Sequence, residues 1–186
     1  MKIATETLIQ DLVKRTKEVI SQAETFRESP GEELNFKPDP QSWSVLECLE
    51  HLNLYGRFYL PEISRRITEG KGKQEPVFKS GWLGNYFANS MLPKEKLNKM
   101  KTFQNMNPLN SQLDKRVIDE FVDQQNELLR LLETSRKVSL NKTRTSISIS
   151  KWIRLKLGDT LRFVIYHNQR HMAQAFRLRS VTLPHD

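Results

Sequence analysis

The chain has 186 residues, of which 37% are hydrophobic and 28% are charged, and its formal net charge is +8. These values are typical of a soluble globular protein, and we expect a single domain over residues 1–186. No apolar run approaches the roughly 18 residues that a transmembrane helix needs, so we expect no transmembrane helix.

Cysteine content and the N-terminal segment favour a cytoplasmic protein. Cys48 is the only cysteine, which excludes an internal disulfide framework. Glu6 and Asp11 interrupt the apolar pattern of the first twenty residues, which is atypical of a signal peptide.

Positive charge is concentrated in the second half of the chain. Residues 1–93 contain 12 Lys and Arg against 13 Asp and Glu, whereas residues 94–186 contain 18 against 9. The basic stretches at 94–101 and 136–156 could bind a nucleic acid or another anion, or could simply form a solvated face. We favour the solvated face, because aromatic residues on which bases could stack are not interleaved with these lysines.

The first two helices are predicted from apolar spacing and from a capping motif. Residues 3–27 repeat apolar side chains at helical spacing, and the loop 28–41 contains three prolines and a glycine. Ser44 and Glu47 fit a capping box that starts a second helix, which is predicted to run to about Glu69 with a candidate kink before Pro61.

The rest of the chain predicts two further long helices and a long connection. Residues 70–110 are irregular apart from a short helix near 82–92, and this connection is long enough to cross the bundle or to cover a pocket. Residues 111–134 predict the third helix. We expect 135–150 to be an extended loop, because "SISIS" alternates like a strand without a visible partner, and "KWIRLKL" to be a helical lead-in.

The fourth helix is predicted to start after Gly158 with Asp159 as its cap, and to run to about Arg179. Four such helices joined by one or two long crossovers predict an all-α four-helix bundle.

Histidines occupy positions where these helices should face the core. His167, His171 and Gln174 continue an apolar stripe of the fourth helix, and His51 lies on a mostly apolar face of the second helix. Burying such groups without partners costs a few kcal/mol. Two imidazoles four residues apart can bind one Zn²⁺, Ni²⁺ or Fe²⁺ ion, although this spacing alone is more often found in surface or hydrogen-bonded core histidines.

Two motifs resemble those of the DinB-like (YfiT-like) family of metal-binding four-helix bundles. "SWSVLECLEHL" is similar to the family pattern W-S-x-x-E-x-x-x-H-L, and "LKLGDTLRFVIYHNQRHMAQ" to L-G-D-x-L-R-F-x-x-x-H-x-x-R-H-x-x-Q. The segment "MKTFQNMNPLNSQLDKRVIDEFVDQQNELLRLLE" also fits. The resemblance covers nearly the whole chain and implies a metal triad of His51, His167 and His171.

The resemblance implies the metal site more strongly than the reaction. Relatives include transferases that join a low-molecular-weight thiol to an electrophile and a mycothiol-dependent isomerase, and many members are described only as metal-dependent hydrolases. Relatives are often dimers, so we expect a homodimer that acts on a small molecule.

Three neighbours of the histidines are further candidates. Glu47 is either a carboxylate that supports the site, including as a general base, or only the helix cap. Gln174 could orient an imidazole or a metal-bound water, or be a buried amide satisfied by another helix. Cys48 could supply a fourth ligand, but a small buried side chain is the favoured interpretation.

Three functions follow from these residues. The favoured one is a metal-dependent enzyme that activates a water or a thiol with the three histidines, assisted by Glu47 or Gln174. The second is a non-catalytic metal-binding bundle that acts as a dimer. The third, and least favoured, is a basic helical module that binds nucleic acid.

Overall fold

The computed structural model describes residues 1–70, 72–93, 102–148 and 150–182. Over these ranges the chain is mostly helical, with little sheet. In chain order its elements are β1 (Lys2–Ala4), α1 (Thr5–Glu24), α2 (Gly31–Asn35), α3 (Val45–Thr68), β2 (Val77–Lys79), α4 (Trp82–Met91), α5 (Arg116–Ser135), β3 (Arg144–Ile147), β4 (Ser150–Lys156) and α6 (Leu157–Thr182). Short 3₁₀ helices occupy Thr25–Glu28 and Gln104–Met106.

The four long helices α1, α3, α5 and α6 form the predicted bundle. Helix α3 packs between α5 and α6, and α1 packs against the same two helices from the opposite side. The pairs α1–α3 and α5–α6 are therefore the diagonals of the bundle. This order places the residues of α3 and α6 side by side, which is what the candidate site requires.

No helix in the described part of the chain is long and apolar enough to cross a membrane.

Helix α3 starts as the sequence predicts. The Ser44 hydroxyl accepts the backbone N–H of Glu47, and the Glu47 carboxylate accepts the backbone N–H of Ser44, so the capping box is confirmed. The helix then continues through Pro61 to Thr68. Because Glu47 and His51 lie one turn apart on α3, the cap fixes the start of the helix that carries His51.

The sequence prediction was wrong for Arg144–Ile147 and Ser150–Lys156, whereas residues 136–143 form the expected connection without helix or strand. Arg144–Ile147 and Ser150–Lys156 pair as an antiparallel hairpin, so Ser146 and Ile147 of "SISIS" lie in one strand and Ser150 starts the other. Residues 151–156 of "KWIRLKL" continue this second strand rather than form a helical lead-in. Thr145 and Leu155 are opposite each other and buried, whereas Arg144 and Arg154 are exposed. The partner that an isolated strand lacks is thus the next segment of the chain itself.

Smaller elements were also missed or displaced. Lys2–Ala4 pairs with Val77–Lys79 as a short antiparallel ribbon, where the sequence predicted the start of the first helix. Gly31–Asn35 is helical within the predicted loop, and α5 begins at Arg116 rather than at residue 111.

The short helix expected near 82–92 is confirmed as α4. The basic stretch 94–101 lies outside the described residues.

Asp159 has a different role from the predicted cap. Helix α6 starts two residues earlier, at Leu157, and the carboxylate of Asp159 is buried where α4 packs against α6. It accepts the Ser80 hydroxyl and, at 2.8 Å, the backbone N–H of Gly81 at the start of α4. Gly84 is required beside it, because a Cβ at that position would lie only 2.4 Å from the carboxylate.

Arg162 completes this buried polar contact between α4 and α6. Its side chain is only 2% exposed and lies 3.3 Å from Asp159 Oδ1. The same guanidinium donates to the amide oxygens of Asn85 and Asn89, at 3.2 and 3.0 Å. Since α6 also carries His167 and His171, this network sets the position of the helix that supplies two of the three histidines.

We expect Asp159→Ala to destabilise the protein strongly, by about 3–5 kcal/mol, because Arg162 would remain buried without its counter-charge. Urea unfolding of the variant measures this loss. The double substitution Asp159→Leu with Arg162→Met should recover most of it, because no buried charge then remains. Glu127→Ala is the control, since its pair with Arg130 is solvent-exposed and should be worth less than about 1 kcal/mol. A loss in Asp159→Ala no larger than in this control would contradict the assignment.

Candidate metal centre

Three histidines from two helices converge between α3 and α6. His167 and His171 are one turn apart on α6, and His51 faces them from α3. One ring nitrogen of each histidine lies within 4.8 Å of the corresponding nitrogens of the other two. His51 and His167 are buried, and His171 is half-buried. Among the described residues, these three histidines are the group of His, Cys, Asp or Glu side chains whose ligand atoms lie close enough together to hold a metal ion.

Hydrogen bonds fix which nitrogen of two rings is free. His51 Nδ1 lies 2.6 Å from the backbone carbonyl oxygen of Met106, and His171 Nδ1 lies 3.0 Å from Oε1 of Gln174. A carbonyl oxygen only accepts, so Nδ1 carries the hydrogen in both rings. The Nε2 atoms of both rings are thereby left with their lone pairs available as ligands.

The donor set fits a divalent transition metal. His51 Nε2 and His167 Nε2 are 3.2 Å apart. Zn–N bonds of about 2.0–2.1 Å in a tetrahedral arrangement separate the nitrogens by roughly 3.3 Å, so this pair is already at the distance of two ligands on one ion. Neutral imidazoles suit Zn²⁺, Ni²⁺ and Fe²⁺, and carbonyl acceptors on Nδ1 are the outer partners that metal-bound histidines usually have.

Burial keeps the three rings neutral. It lowers the pKa of His51 to about 4, although the hydrogen bond to the Met106 carbonyl opposes the shift. Burial together with the neighbouring His51 lowers the pKa of His171 to about 3. The pKa of His167 is also held well below its usual value by burial, with smaller contributions from His171 and His51. At neutral pH all three rings are therefore in the form that binds metal.

Aromatic side chains surround the cluster. The ring centroid of Trp43 is 4.6 Å from that of His51 and 5.6 Å from that of His171. Tyr55 lies 4.5 Å from His167 by the same measure, and burial raises its pKa to about 12, so its hydroxyl keeps its hydrogen at neutral pH. Phe163 stacks on His167. These rings limit the access of bulk water to the nitrogens.

Glu47 is buried and its two carboxylate oxygens are both engaged. Oε2 accepts the backbone N–H of Ser44 at 2.8 Å, and Oε1 accepts that of Asn110 at 2.5 Å. The ammonium of Lys37 lies 3.4 Å away. Glu47 therefore has the capping role that the sequence suggested, and it also contacts the segment around Asn110. A general-base role would require the release of one of these donors.

Gln174 and Cys48 have distinct environments. Gln174 lies one turn beyond His171, and its Oε1 accepts the Nδ1–H of that ring at 3.0 Å. Cys48 is fully buried among apolar side chains, and burial raises the pKa of its thiol far above the usual value. A thiol in that state is a poor metal ligand, which favours the packing role for Cys48.

Sequence reasoning did not find Met106 or Trp43 as parts of the site. Met106 contributes through its backbone carbonyl, to which the side-chain pattern gives no clue. Trp43 precedes the capping box, and its contact with both His51 and His171 depends on the angle at which the chain enters α3.

The comparisons with known proteins agree with this geometry. A family model described as the DinB superfamily matches residues 11–175, a range that contains all three histidines, Glu47 and Gln174. Neither the curated proteins nor the solved structures gave a significant match. The family match and the three-histidine cluster fit a metal-binding protein. Because the match spans far more than half of its length, this chain belongs to the DinB superfamily.

Proposed function

We propose that the protein is a metal-dependent enzyme that activates a water or a thiol as a nucleophile, as a hydrolase or as a thiol S-transferase. The observation that carries this proposal is the convergence of His51, His167 and His171 in a mostly buried, aromatic-walled site. The Nδ1 hydrogens of two of these rings already have acceptors, so their Nε2 atoms keep the lone pairs that a metal ion needs.

The three histidines would hold Zn²⁺, Ni²⁺ or Fe²⁺, which would lower the pKa of a water or thiol bound at its remaining open position. Gln174 keeps His171 in the Nδ1–H tautomer, and Glu47 holds the N-terminus of the helix that carries His51. We propose these two residues as supports of the nucleophile site. Trp43, Tyr55 and Phe163 exclude water around the reacting groups.

The same proposal includes a cytoplasmic homodimer that acts on a small molecule. In the thiol-transferase form the second substrate is a low-molecular-weight thiol. Cys48 is fully buried and is a free thiol, which is compatible with a reducing compartment.

Metal content is the first measurement. Protein purified without a histidine tag should contain about one equivalent of a divalent metal, and His167→Ala should lose it while keeping its helical circular dichroism. Asn168→Ala is the matched control, because it breaks the buried 2.7 Å hydrogen bond to Gln125 next to His167 without removing a ring nitrogen. The control should keep the metal. Equal metal content in wild type and His167→Ala would contradict the triad.

Activity separates the enzyme from a non-catalytic metal-binding bundle. We expect the metal-loaded protein to turn over a member of a panel of thiol–electrophile pairs or of ester and amide substrates. His167→Ala should lower kcat/KM by at least about 100-fold, since removal of the metal removes the activated nucleophile. Full metal occupancy without turnover on any panel member would instead support the non-catalytic bundle.

The lowered histidine pKa values predict how stability depends on pH. An unfolded chain binds a proton on His51 near pH 6.5, whereas the native protein does so only near pH 4. The free energy of unfolding of the metal-free protein should therefore be highest above about pH 6.5 and should fall as the pH drops toward 4. For His51 alone the loss at pH 4 is on the order of 3 kcal/mol.

Urea unfolding at about pH 7.5 and about pH 4.5 tests this dependence. His51→Gln removes the titrating group, so the difference between the two pH values should shrink in this variant whatever its absolute stability. An unchanged difference would show that His51 is not held in the neutral form by burial.

A further inference from the structure

The ring of His51 is oriented by a connecting segment rather than by a neighbouring helix. Met106 ends the short helix Gln104–Met106 and is only 8% exposed, and its carbonyl oxygen accepts the His51 Nδ1–H at 2.6 Å. A carbonyl on a connection has no helical ladder to hold it in place. Its position, and with it the direction of His51 Nε2, depends on what fastens the segment Met106–Asn110 to the bundle.

Side chains at the start of α3 fasten this segment at two points. At the far end, the backbone N–H of Asn110 donates to Glu47 Oε1 at 2.5 Å, and Lys37 Nζ donates to Asn110 Oδ1 at 2.9 Å. Next to Met106, the indole N–H of Trp43 donates to Asn107 Oδ1 at 3.2 Å. The segment is therefore held on both sides of the turn that carries it past the site.

Asn110 has the backbone conformation that this attachment needs. Its φ of 64° lies in the left-handed region, which asparagine adopts with less strain than most residues other than glycine. The chain turns there immediately after the contact with Glu47. A β-branched residue would be strained in this conformation and would also lose the contact with Lys37.

Glu47 links the helix cap, the segment and the candidate metal ligand. Its Oε2 caps α3 through Ser44, and its Oε1 holds Asn110. His51 lies one turn further along the same face of α3. Glu47, which holds the segment, and His51, which the segment orients, are therefore neighbours on one helix.

We propose that Glu47 and Asn110 are positioning residues of the metal site, which act on His51 through the carbonyl of Met106. The proposal rests on the three-histidine site proposed above. Loosening the segment would let the Met106 carbonyl move away, and the His51 ring would lose the acceptor that keeps its hydrogen on Nδ1. Loss of such an outer partner typically weakens metal binding by about 10–100-fold.

The test compares variants that release the segment with a variant that only weakens the cap. Asn110→Val and Glu47→Ala release the segment, Asn110→Gly keeps the positive φ, and Ser44→Ala removes the other half of the capping box while leaving the contact between Glu47 and Asn110. The dissociation constant for Zn²⁺ is measured by chelator competition, and the His51 tautomer by ¹⁵N NMR of the metal-free protein.

We expect Asn110→Val and Glu47→Ala to raise the dissociation constant for Zn²⁺ by about 10–100-fold and to shift His51 toward a mixture of tautomers. Asn110→Gly and Ser44→Ala should stay within about threefold of wild type, with His51 protonated on Nδ1. A purely structural role for Glu47 and Asn110 would lower stability without moving the tautomer.

Asn110→Val keeps the test valid if Glu47→Ala fails to fold, because it leaves the cap intact. Zn²⁺ affinities in the segment variants no weaker than in Ser44→Ala, or an unchanged His51 tautomer, would overturn the positioning role. A wild-type protein that binds none of Zn²⁺, Ni²⁺ and Fe²⁺ would instead defeat the proposed function, and the tautomer measurement would still decide whether the segment orients His51.

Discussion

The structure depends on placing three neutral imidazole rings between α3 and α6. An imidazole buried without hydrogen-bond partners costs a few kcal/mol, and a charged one costs more. His51 and His171 avoid this cost with acceptors that are themselves neutral, a backbone carbonyl and an amide oxygen. A carboxylate in either place would raise the pKa of its ring and stabilise the imidazolium, which binds no metal. The neutral acceptors therefore oppose the effect of burial less than carboxylates would, and the rings stay neutral.

The positions of α3 and α6 in the bundle bring the three imidazole rings together. Helices α3 and α6 must be held at a fixed distance from each other, and a separate polar network holds each helix near its N-terminus. Helix α3 is fixed at its N-terminus by the capping box of Ser44 and Glu47, one to two turns before His51. Helix α6 is fixed through Asp159 and Arg162, whose buried contacts join it to α4. Apolar side chains fill the rest of the space between the helices, but these polar contacts fix the position of α3 and α6, and with it the position of the histidines.

The sequence predicted the parts of the structure that side-chain spacing encodes. Helical periodicity and the capping box located the four long helices. The position of histidines on apolar stripes made them candidates, and the family resemblance implied the triad of His51, His167 and His171. The hairpin Arg144–Lys156 was missed because strand pairing depends on a partner that periodicity within one segment does not reveal. Met106 could not be predicted as part of the site for a related reason, since any residue can supply a backbone carbonyl and only the path of the chain decides which one does.

The contact between His51 and His167 requires a positive partner between their Nε2 atoms. His51 Nε2 carries a lone pair, because its hydrogen is on Nδ1, and it lies 3.2 Å from His167 Nε2. Two lone pairs at that distance repel each other, so either a hydrogen on His167 Nε2 or a positive ion must lie between them. The neutral Nε2–H tautomer of His167 supplies that hydrogen, so the cluster does not need the protonation that burial and the neighbouring rings disfavour. A divalent ion held by all three rings would take the place of that hydrogen, and His167 would then carry its hydrogen on Nδ1. The low pKa values and the short distance between the nitrogens are thus two consequences of one arrangement, a buried and neutral set of donors.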